Sequence, residues 1–197
     1  MKDTDLHIIE KPEWVSWDEI HDVLWKAHAE NREKGMIMTV PSLPGEQIRE
    51  KIKAGRGKMF VALDDRKVVA TAAVMVKNSN LWCGKGEYAY LCFASILPEY
   101  RGRGLYKQLY IYREREAINM GIRRILFDTH EHNRHILAIN EKNHFVPVRY
   151  FHVKNHDHYS IVMVKWLDGC PYPNYYCRLK FYQSKVRTLL RSKILNR

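Results

Sequence analysis

Cysteine is scarce in this chain, four in 197 residues, and Cys83, Cys92, Cys170 and Cys177 form neither a CxxC pair nor a zinc-like spacing. A disulfide-stapled or zinc-organised fold is therefore not expected. Cys83 and Cys92 fall in strand-like stretches, where a free thiol packs as a small hydrophobe. Long apolar runs are missing as well. The longest uncharged one, Val68–Val76, falls far short of the roughly 20 residues that span a bilayer and reads as a buried strand. The opening MKDTDLHIIEK carries acid where a secretory signal carries base and then an apolar core, so a cytoplasmic location is expected. No repeat and no low-complexity segment interrupts the chain. Acid is absent from one place in particular: Cys177 to Arg197 holds seven Lys or Arg and no Asp or Glu. Removing those seven from the net charge of +11 leaves +4 on the rest, so the excess belongs to the tail and does not by itself announce a nucleic-acid binder.

What is present is a globular composition, 46% hydrophobic and 12% aromatic, in a length that suits one domain with a substantial core. The periodicities read as follows. DLHIIEK is a short strand. Trp17 to Glu33 is an amphipathic helix with Ile20, Val23, Leu24 and Ala27 on one face and Ser16 as its N-cap. MTVPSLPGEQ is a loop, and Glu46 to Lys53 a short helix. KMFVAL and VVATAAVMV are strands joined as a hairpin through Asp64–Lys67. Tyr88 to Leu97 is a strand that ends at Pro98. Leu105 to Met120 is a helix with Leu105, Leu109, Tyr112 and Ala117 on its apolar face and Gly121 as its stop signal. RRILFDT is a strand, Asn133 to Lys142 a helix, and PVRYFHV and YSIVMVKWL are the last strands. The order βααβββαβαββ predicts an α/β sandwich.

One junction carries chemistry. In LPEYRGRGLYKQLY, Gly102 and Gly104 stand just before a helix, where the backbone can curl until successive N–H groups converge. The helix start adds unpaired donors and partial positive charge. Arg101, Arg103 and Lys107 enrich the charge, and a phosphate or pyrophosphate is the natural occupant. A P-loop is excluded because no Lys-Ser/Thr follows the second glycine, and a dinucleotide fingerprint because Lys107 stands at its third glycine. The alternative is a solvent-exposed turn with ordinary flanking charges.

The surrounding order, strand, proline, YRGRGLYKQL, helix, strand and then NRHILAINEKNHF, resembles the Gcn5-related N-acetyltransferases (GNAT). Their acetyl-coenzyme A signature is Arg or Gln, two residues, Gly, one residue, Gly or Ala; Arg101 to Leu105 match it and bulky Tyr106 departs. In the second signature Asn133, Glu141, Lys142 and Phe145 fit, while Asn140 replaces a tyrosine and His144 a glycine. The likeness covers Lys58 to Phe145 and is looser over residues 5–57. It implies a GNAT-like mixed, twisted central sheet flanked by helices, an α/β/α sandwich. It also implies that acetyl-CoA is the acyl donor, its pantetheine pairing with the backbone of Ser95, Ile96 and Leu97 and its pyrophosphate held by the N–H groups from Gly102 to Tyr106, with Arg101, Arg103, Leu105, Lys107 and Asn133 completing the site. A backbone N–H near Ile96 or Leu97 is then placed to stabilise the tetrahedral oxyanion.

An attacking amine with a lysine-like pKa of about 10.4 must lose a proton. Asp128, read as lying at the end of its strand, matches a family glutamate that serves as base; Glu87 and His130 compete with it, and a structural role for the carboxylate stays open. Family tyrosines at the place of Asn140 are thought to protonate the thiolate. An amide cannot, but a coenzyme A thiolate, with a cysteine-like pKa of about 8.5, is already a competent leaving group. Tyr150 is one nearby substitute. Seven of the ten histidines lie between His130 and His158, without zinc spacing, and no metal is expected; His130 and His132 read as rim residues of the acceptor entrance.

The expected domains are residues 1–170, the acetyltransferase body, and 171–197, a basic amphipathic extension docked on it by Leu179, Tyr182, Val186, Leu189, Leu190 and Ile194. The expected activity is acetyl-CoA-dependent N-acylation of a primary amine on a small molecule or peptide. The alternatives are a catalytically weak acyl-CoA-binding module and a basic nucleic-acid or membrane-surface adaptor. No specific nucleic acid is expected, contact of the tail with an anionic surface is an open alternative, and the oligomeric state is open with a homodimer among the options.

Overall fold

The computed structural model describes residues 6–36, 42–154 and 158–195, with side chains to Ser192. Asp5 of the first expected strand, residues 38–41 of the expected loop, His156, and the side chain of Ile194 lie outside the described residues. The elements follow the order β1 (Leu6–Glu10), α1 (Trp17–Ala27), α2 (Ala29–Glu33), α3 (Gly45–Ala54), β2 (Lys58–Asp64), β3 (Lys67–Leu81), β4 (Gly84–Ile96), a 3-10 turn (Pro98–Tyr100), α4 (Leu105–Asn119), β5 (Arg124–His130), α5 (Arg134–Lys142), β6 (Val146–His152), β7 (Tyr159–Trp166) and α6 (Asn174–Leu195). The strands form one mixed seven-stranded sheet, ordered β1-β2-β3-β4-β5-β7-β6 and flanked by helices. The chain divides into two compact units, one of residues up to Asn78 with Ala89–Ile122, the other of Ser79–Tyr88 with everything from Arg123.

In the first unit α1 begins at a capping box: Ser16 Oγ accepts from the Glu19 amide at 3.1 Å and Glu19 Oε2 from the Ser16 amide at 2.8 Å. Ile20, Val23, Leu24 and Ala27 are buried as their spacing predicts. The expected helix to Glu33 is broken at His28. Its ring is held by Ser95 Oγ at 2.9 Å and by the Asn31 amide at 3.0 Å, and these contacts end α1 and restart the chain as α2. β1, β2 and β3 pair antiparallel, with Ile8 opposite Ala62 and Val61 opposite Thr71. Met59–Leu63 and Val68–Met75 are continuously buried, as in strands covered on both faces. β3 runs five residues beyond the expected end at Val76, and β4 starts at Gly84 rather than Tyr88. On α4 the buried residues are Leu105, Leu109, Tyr110, Arg113 and Ala117, whereas Tyr112 is exposed. The unbroken i+4 row Leu105, Leu109, Arg113, Ala117 carries an arginine inward in place of the expected tyrosine.

In the second unit β5 pairs antiparallel with β7, and β7 with β6. Cys83, Leu126, Val148 and Val164 form its core, with Cys83 in the turn after β3 rather than in a strand. Trp82 Nε1 donates to the Val148 carbonyl at 2.9 Å. The four cysteines are free thiols, Cys170 Sγ lying 3.8 Å from Cys177 Sγ. β6 is an edge strand, and α6 occupies its free backbone groups: Ser184 Oγ accepts from the Tyr150 amide at 3.1 Å, and Thr188 Oγ1 donates to the Tyr150 carbonyl at 2.8 Å. The apolar row expected to face the body instead faces solvent at Leu179, Tyr182, Val186 and Leu190. The reason is local: hydroxyls, not leucines, can satisfy an open strand edge.

Candidate active site

The glycine junction folds as its residues predict. Gly102 and Gly104 take φ of +77° and +76°, the left-handed region that suits glycine, and a Cβ at either would meet nothing within 4 Å. Their role is therefore conformational freedom rather than close packing. The helix they introduce contrasts with α1. Gly104 occupies the N-cap of α4 and offers no side chain to the first-turn amides, and no acid lies in that turn. Ser16 caps the first turn of α1 with its hydroxyl, whereas Gly104 gives the first turn of α4 no side-chain cap.

The charged residues of the loop divide in role. Arg101 Nη2 donates to the Ala27 carbonyl at 2.7 Å, Nη1 pairs with Glu30 at 3.1 Å, and Nε reaches the Ile96 carbonyl at 3.4 Å. It is a clamp that ties the loop to the α1–α2 break. Arg103 lies over the Tyr100 ring at 4.9 Å and donates to the Glu99 carbonyl at 3.2 Å; it and Lys107 are exposed. Leu105 anchors the helix start in the core. Tyr106, bulky where the resemblance leads one to expect a small residue, bonds the side chain of Arg113, which is 2% exposed and also donates to the Leu109 carbonyl at 3.2 Å. Burial pulls the pKa of Arg113 down, opposed by Tyr106, Cys92 and Tyr110.

Upstream, β4 is irregular. Phe93 has φ of +51°, rare for an aromatic residue and a mark of a bulge, and its carbonyl accepts from the buried Thr71 hydroxyl at 2.8 Å. Ser95 is buried with its hydroxyl on His28 Nε2. Burial, then the charges of Arg101 and Arg32, hold His28 down at about 4, so it is neutral at physiological pH. Leu97 donates its N–H to the Val69 carbonyl at 3.0 Å, which removes it as an oxyanion donor and leaves Ile96 of the two considered.

In the second unit Asp128 is half-buried in the body of β5 opposite Val162, two residues before the strand ends, rather than at its end. Its charge helps burial to raise the pKa of Tyr88. Glu87 is exposed and lies inside β4; its carbonyl accepts from Arg124 Nη2 at 3.3 Å. His130 is buried, stacked on His158 at 4.6 Å, and its Nδ1 accepts from the His132 amide at 3.1 Å. That bond uses the lone pair a base would need, and burial followed by His132 lowers its pKa. Asn133 donates to Thr129 Oγ1 at 3.2 Å. Asn140 is buried with its amide on the Ile136 carbonyl at 2.8 Å. Tyr150 donates its proton to Glu131 at 2.6 Å; burial and that bond raise its pKa, so it is a poor acid. Among the described residues no group of three His, Cys, Asp or Glu could hold a metal ion.

The residues that sequence reasoning missed are His28, Phe93 with Thr71, and Arg113. Thr71 alone left a signal, as the single hydroxyl in an apolar run.

Solved structures share this fold. An acetyltransferase from Streptococcus agalactiae has the same fold at 22% identity and a TM-score of 0.62, over 82% of this chain and 98% of its own. The NatC complex bound to Gag peptide and CoA matches at 10% identity and 0.64, over 82% and 98%. Arabidopsis thaliana NAA60 in complex with a bisubstrate analogue matches at 16% and 0.61, over 83% and 99%. Among curated proteins none matches the sequence significantly. The sequence profile of the acetyltransferase (GNAT) family matches residues 17–145, and the chain belongs to that family of acetyltransferases.

Proposed function

We propose that this protein transfers an acetyl or other acyl group from acyl-CoA to a primary amine. The observation that carries the reading is the start of α4: two left-handed glycines, an N-cap without a side chain, no acid in the first turn, and basic residues beside it. Such a cradle fits a pyrophosphate, taken by the N–H groups from Gly102 to Tyr106, with Arg103 and Lys107 adding charge and Arg101 holding the loop in shape. Ser95 and Ile96 supply backbone groups to the pantetheine arm, and Asn133 completes the donor site. The Ile96 N–H stabilises the oxyanion, a contribution worth a few kcal/mol.

The amine must be neutral to attack. Asp128 takes its proton, directly or through water, in preference to Glu87, which is exposed, and to His130, whose Nδ1 is occupied. The new C–N bond forms as the carbonyl becomes tetrahedral; collapse breaks the C–S bond and the electron pair leaves on sulfur. Asn140 has no proton to give, and the thiolate departs unassisted by it. The acceptor is a small molecule or a peptide, and the reaction takes place in the cytoplasm, a reading in keeping with four free thiols.

A second reading, an acyl-CoA sensor with weak catalysis, is favoured by the amide at Asn140 in the place of an acid. A screen of amines against acetyl-CoA and longer acyl-CoA donors, reading thiol release, separates the two. The transferase reading expects release with at least one amine class, and slower release at neutral pH in Asp128→Asn with acetyl-CoA affinity unchanged. Calorimetric binding of acetyl-CoA with no release from any amine supports the sensor.

A further inference from the structure

α6 meets the sheet with one face and leaves the opposite face uncovered. Ser184 and Thr188 lie toward β6, and Cys177 on the same side of the helix is buried. Half a turn away Tyr175, Leu179, Tyr182, Val186 and Leu190 follow at steps of four, three, four and four, the spacing of one stripe. Each is 51% to 73% exposed. These are five of the eleven large hydrophobics exposed among the described residues, gathered on one helix. At 1.5 Å per residue the row is about 22 Å long.

Both borders of the row are cationic. On the 100° wheel of a helix Arg178 and Lys185 flank one side and Arg187 the other. No Asp or Glu occurs from Gly169 to Arg197. The charge selects the occupant. A second copy of the chain would bring cationic borders against cationic borders with no carboxylate between them. A nucleic acid would neutralise the borders and leave the leucines and valine in water. An anionic bilayer satisfies both parts, with headgroups against arginine and lysine and the acyl boundary against the apolar row. Tyr175 and Tyr182 suit the headgroup level, where an aromatic body and a polar tip are both accommodated.

We propose that the outer face of α6 is a docking surface for an anionic membrane, on which the helix lies in the plane of the headgroups. The attachment is peripheral, since no helix among the described residues is long and apolar enough to cross a bilayer.

Co-sedimentation of the full chain with phosphatidylcholine vesicles, with and without phosphatidylserine, tests this. The expected result is partition onto the phosphatidylserine vesicles, weakened as salt shortens the Debye length. The triple variant Leu179→Gln, Val186→Gln, Leu190→Gln should lower the partition coefficient at least about tenfold, and the double variant Arg178→Gln, Arg187→Gln should weaken the preference for phosphatidylserine. All these side chains are exposed, and unchanged acetyl-CoA binding checks the fold of each variant. The proposal is overturned by absence of a phosphatidylserine preference or by a partition that the apolar variant leaves intact. A parent that runs as a dimer, becomes a monomer in the apolar variant and ignores vesicles also overturns it, in favour of a second copy as occupant. Retention on polyphosphate that equals retention on vesicles and survives the apolar variant reduces the face to a polyanion contact.

Discussion

Gly104 allows the backbone and the charge of the proposed pyrophosphate site to be tested separately. At φ +76° and ψ 1° an L-residue sits in the left-handed region, which costs about 1 to 2 kcal/mol. Nothing lies within 4 Å of a Cβ built there, so no clash adds to that cost. Gly104→Ala should therefore lower stability by about 1 kcal/mol and, as the loop conformation survives, change acetyl-CoA affinity little. Gly104→Asp carries the same backbone cost and adds a carboxylate at the start of α4. A negative charge at a helix N-terminus contributes about 0.3 to 1 kcal/mol of stability, so this variant should be no less stable than the alanine one. Toward a bound pyrophosphate the same charge is repulsive. Two like charges about 4 Å apart repel by roughly 1 kcal/mol in bulk water and roughly 4 kcal/mol near a protein surface. The lower figure alone lowers the affinity about fivefold, and a repulsion of about 1.4 kcal/mol, within this range, lowers it about tenfold. Urea melts give the stabilities and calorimetric titration with acetyl-CoA the affinities. An aspartate variant that melts like the alanine variant and binds like the parent would refute the site.

Three further outcomes follow from particular groups. His28 is held at about 4 in the fold and titrates near 6.5 when unfolded; the unfolded chain thus binds the proton first as pH falls, and stability on the order of 3 kcal/mol should be lost between about pH 6.5 and 4 and then level off. His28→Gln should flatten that stretch of a plot of Tm against pH relative to the parent, and an unchanged slope would remove the assignment. His144 is exposed at φ +67°, so His144→Gly should raise stability by about 0.5 to 1 kcal/mol, read as a higher urea midpoint. Thr71→Val keeps the volume but leaves the Phe93 carbonyl without its donor, which should cost about 1 to 3 kcal/mol in the same melt; no loss would mean that the bond is immaterial to the bulge.

Elements whose apolar spacing decides their burial were legible in the sequence. Ile20, Val23, Leu24 and Ala27 face inward on α1, and Ser16 caps it, because both signals are local. The left-handed backbone of the glycine junction was legible for the same reason, since glycines directly before an apolar-periodic run mark positions of positive φ. Tertiary contacts were not legible. Nothing in KAHAENREK opposes a helix, and α1 stops at His28 because Ser95, 67 residues away, holds its ring. The strand RRILFDT, expected to end at Thr129, runs one residue further because His130 continues the ladder with β7, a partner unknown from the local sequence. The tail misled for another reason. Its leucine stripe is a true periodicity, but periodicity reports amphipathicity and not which side is covered; the hydroxyl row of Ser184, Thr188 and Ser192 meets Tyr150 and Tyr159.

The departures from the family signatures acquire a physical sense at this level. His144 stands where the second signature has glycine, and its backbone still takes the left-handed conformation that glycine would supply. The end of α5 is closed by His144 N–H to the Glu141 carbonyl and Phe145 N–H to the Asn140 carbonyl, both 3.0 Å, the pattern that also closes α4 at Gly121. The geometry is retained and one residue type has changed. At Tyr106 the change is larger, since a phenol occupies the first turn of the helix proposed to hold the pyrophosphate. That ring has a destination, the buried guanidinium of Arg113 two turns along the same helix face. What a pyrophosphate requires of residue 106 is its N–H group, and a side chain bound to Arg113 leaves that group in place. Arg113 is thereby intelligible as the inward partner of Tyr106, and both exceptions, the arginine in the core row and the tyrosine in the motif, have one cause.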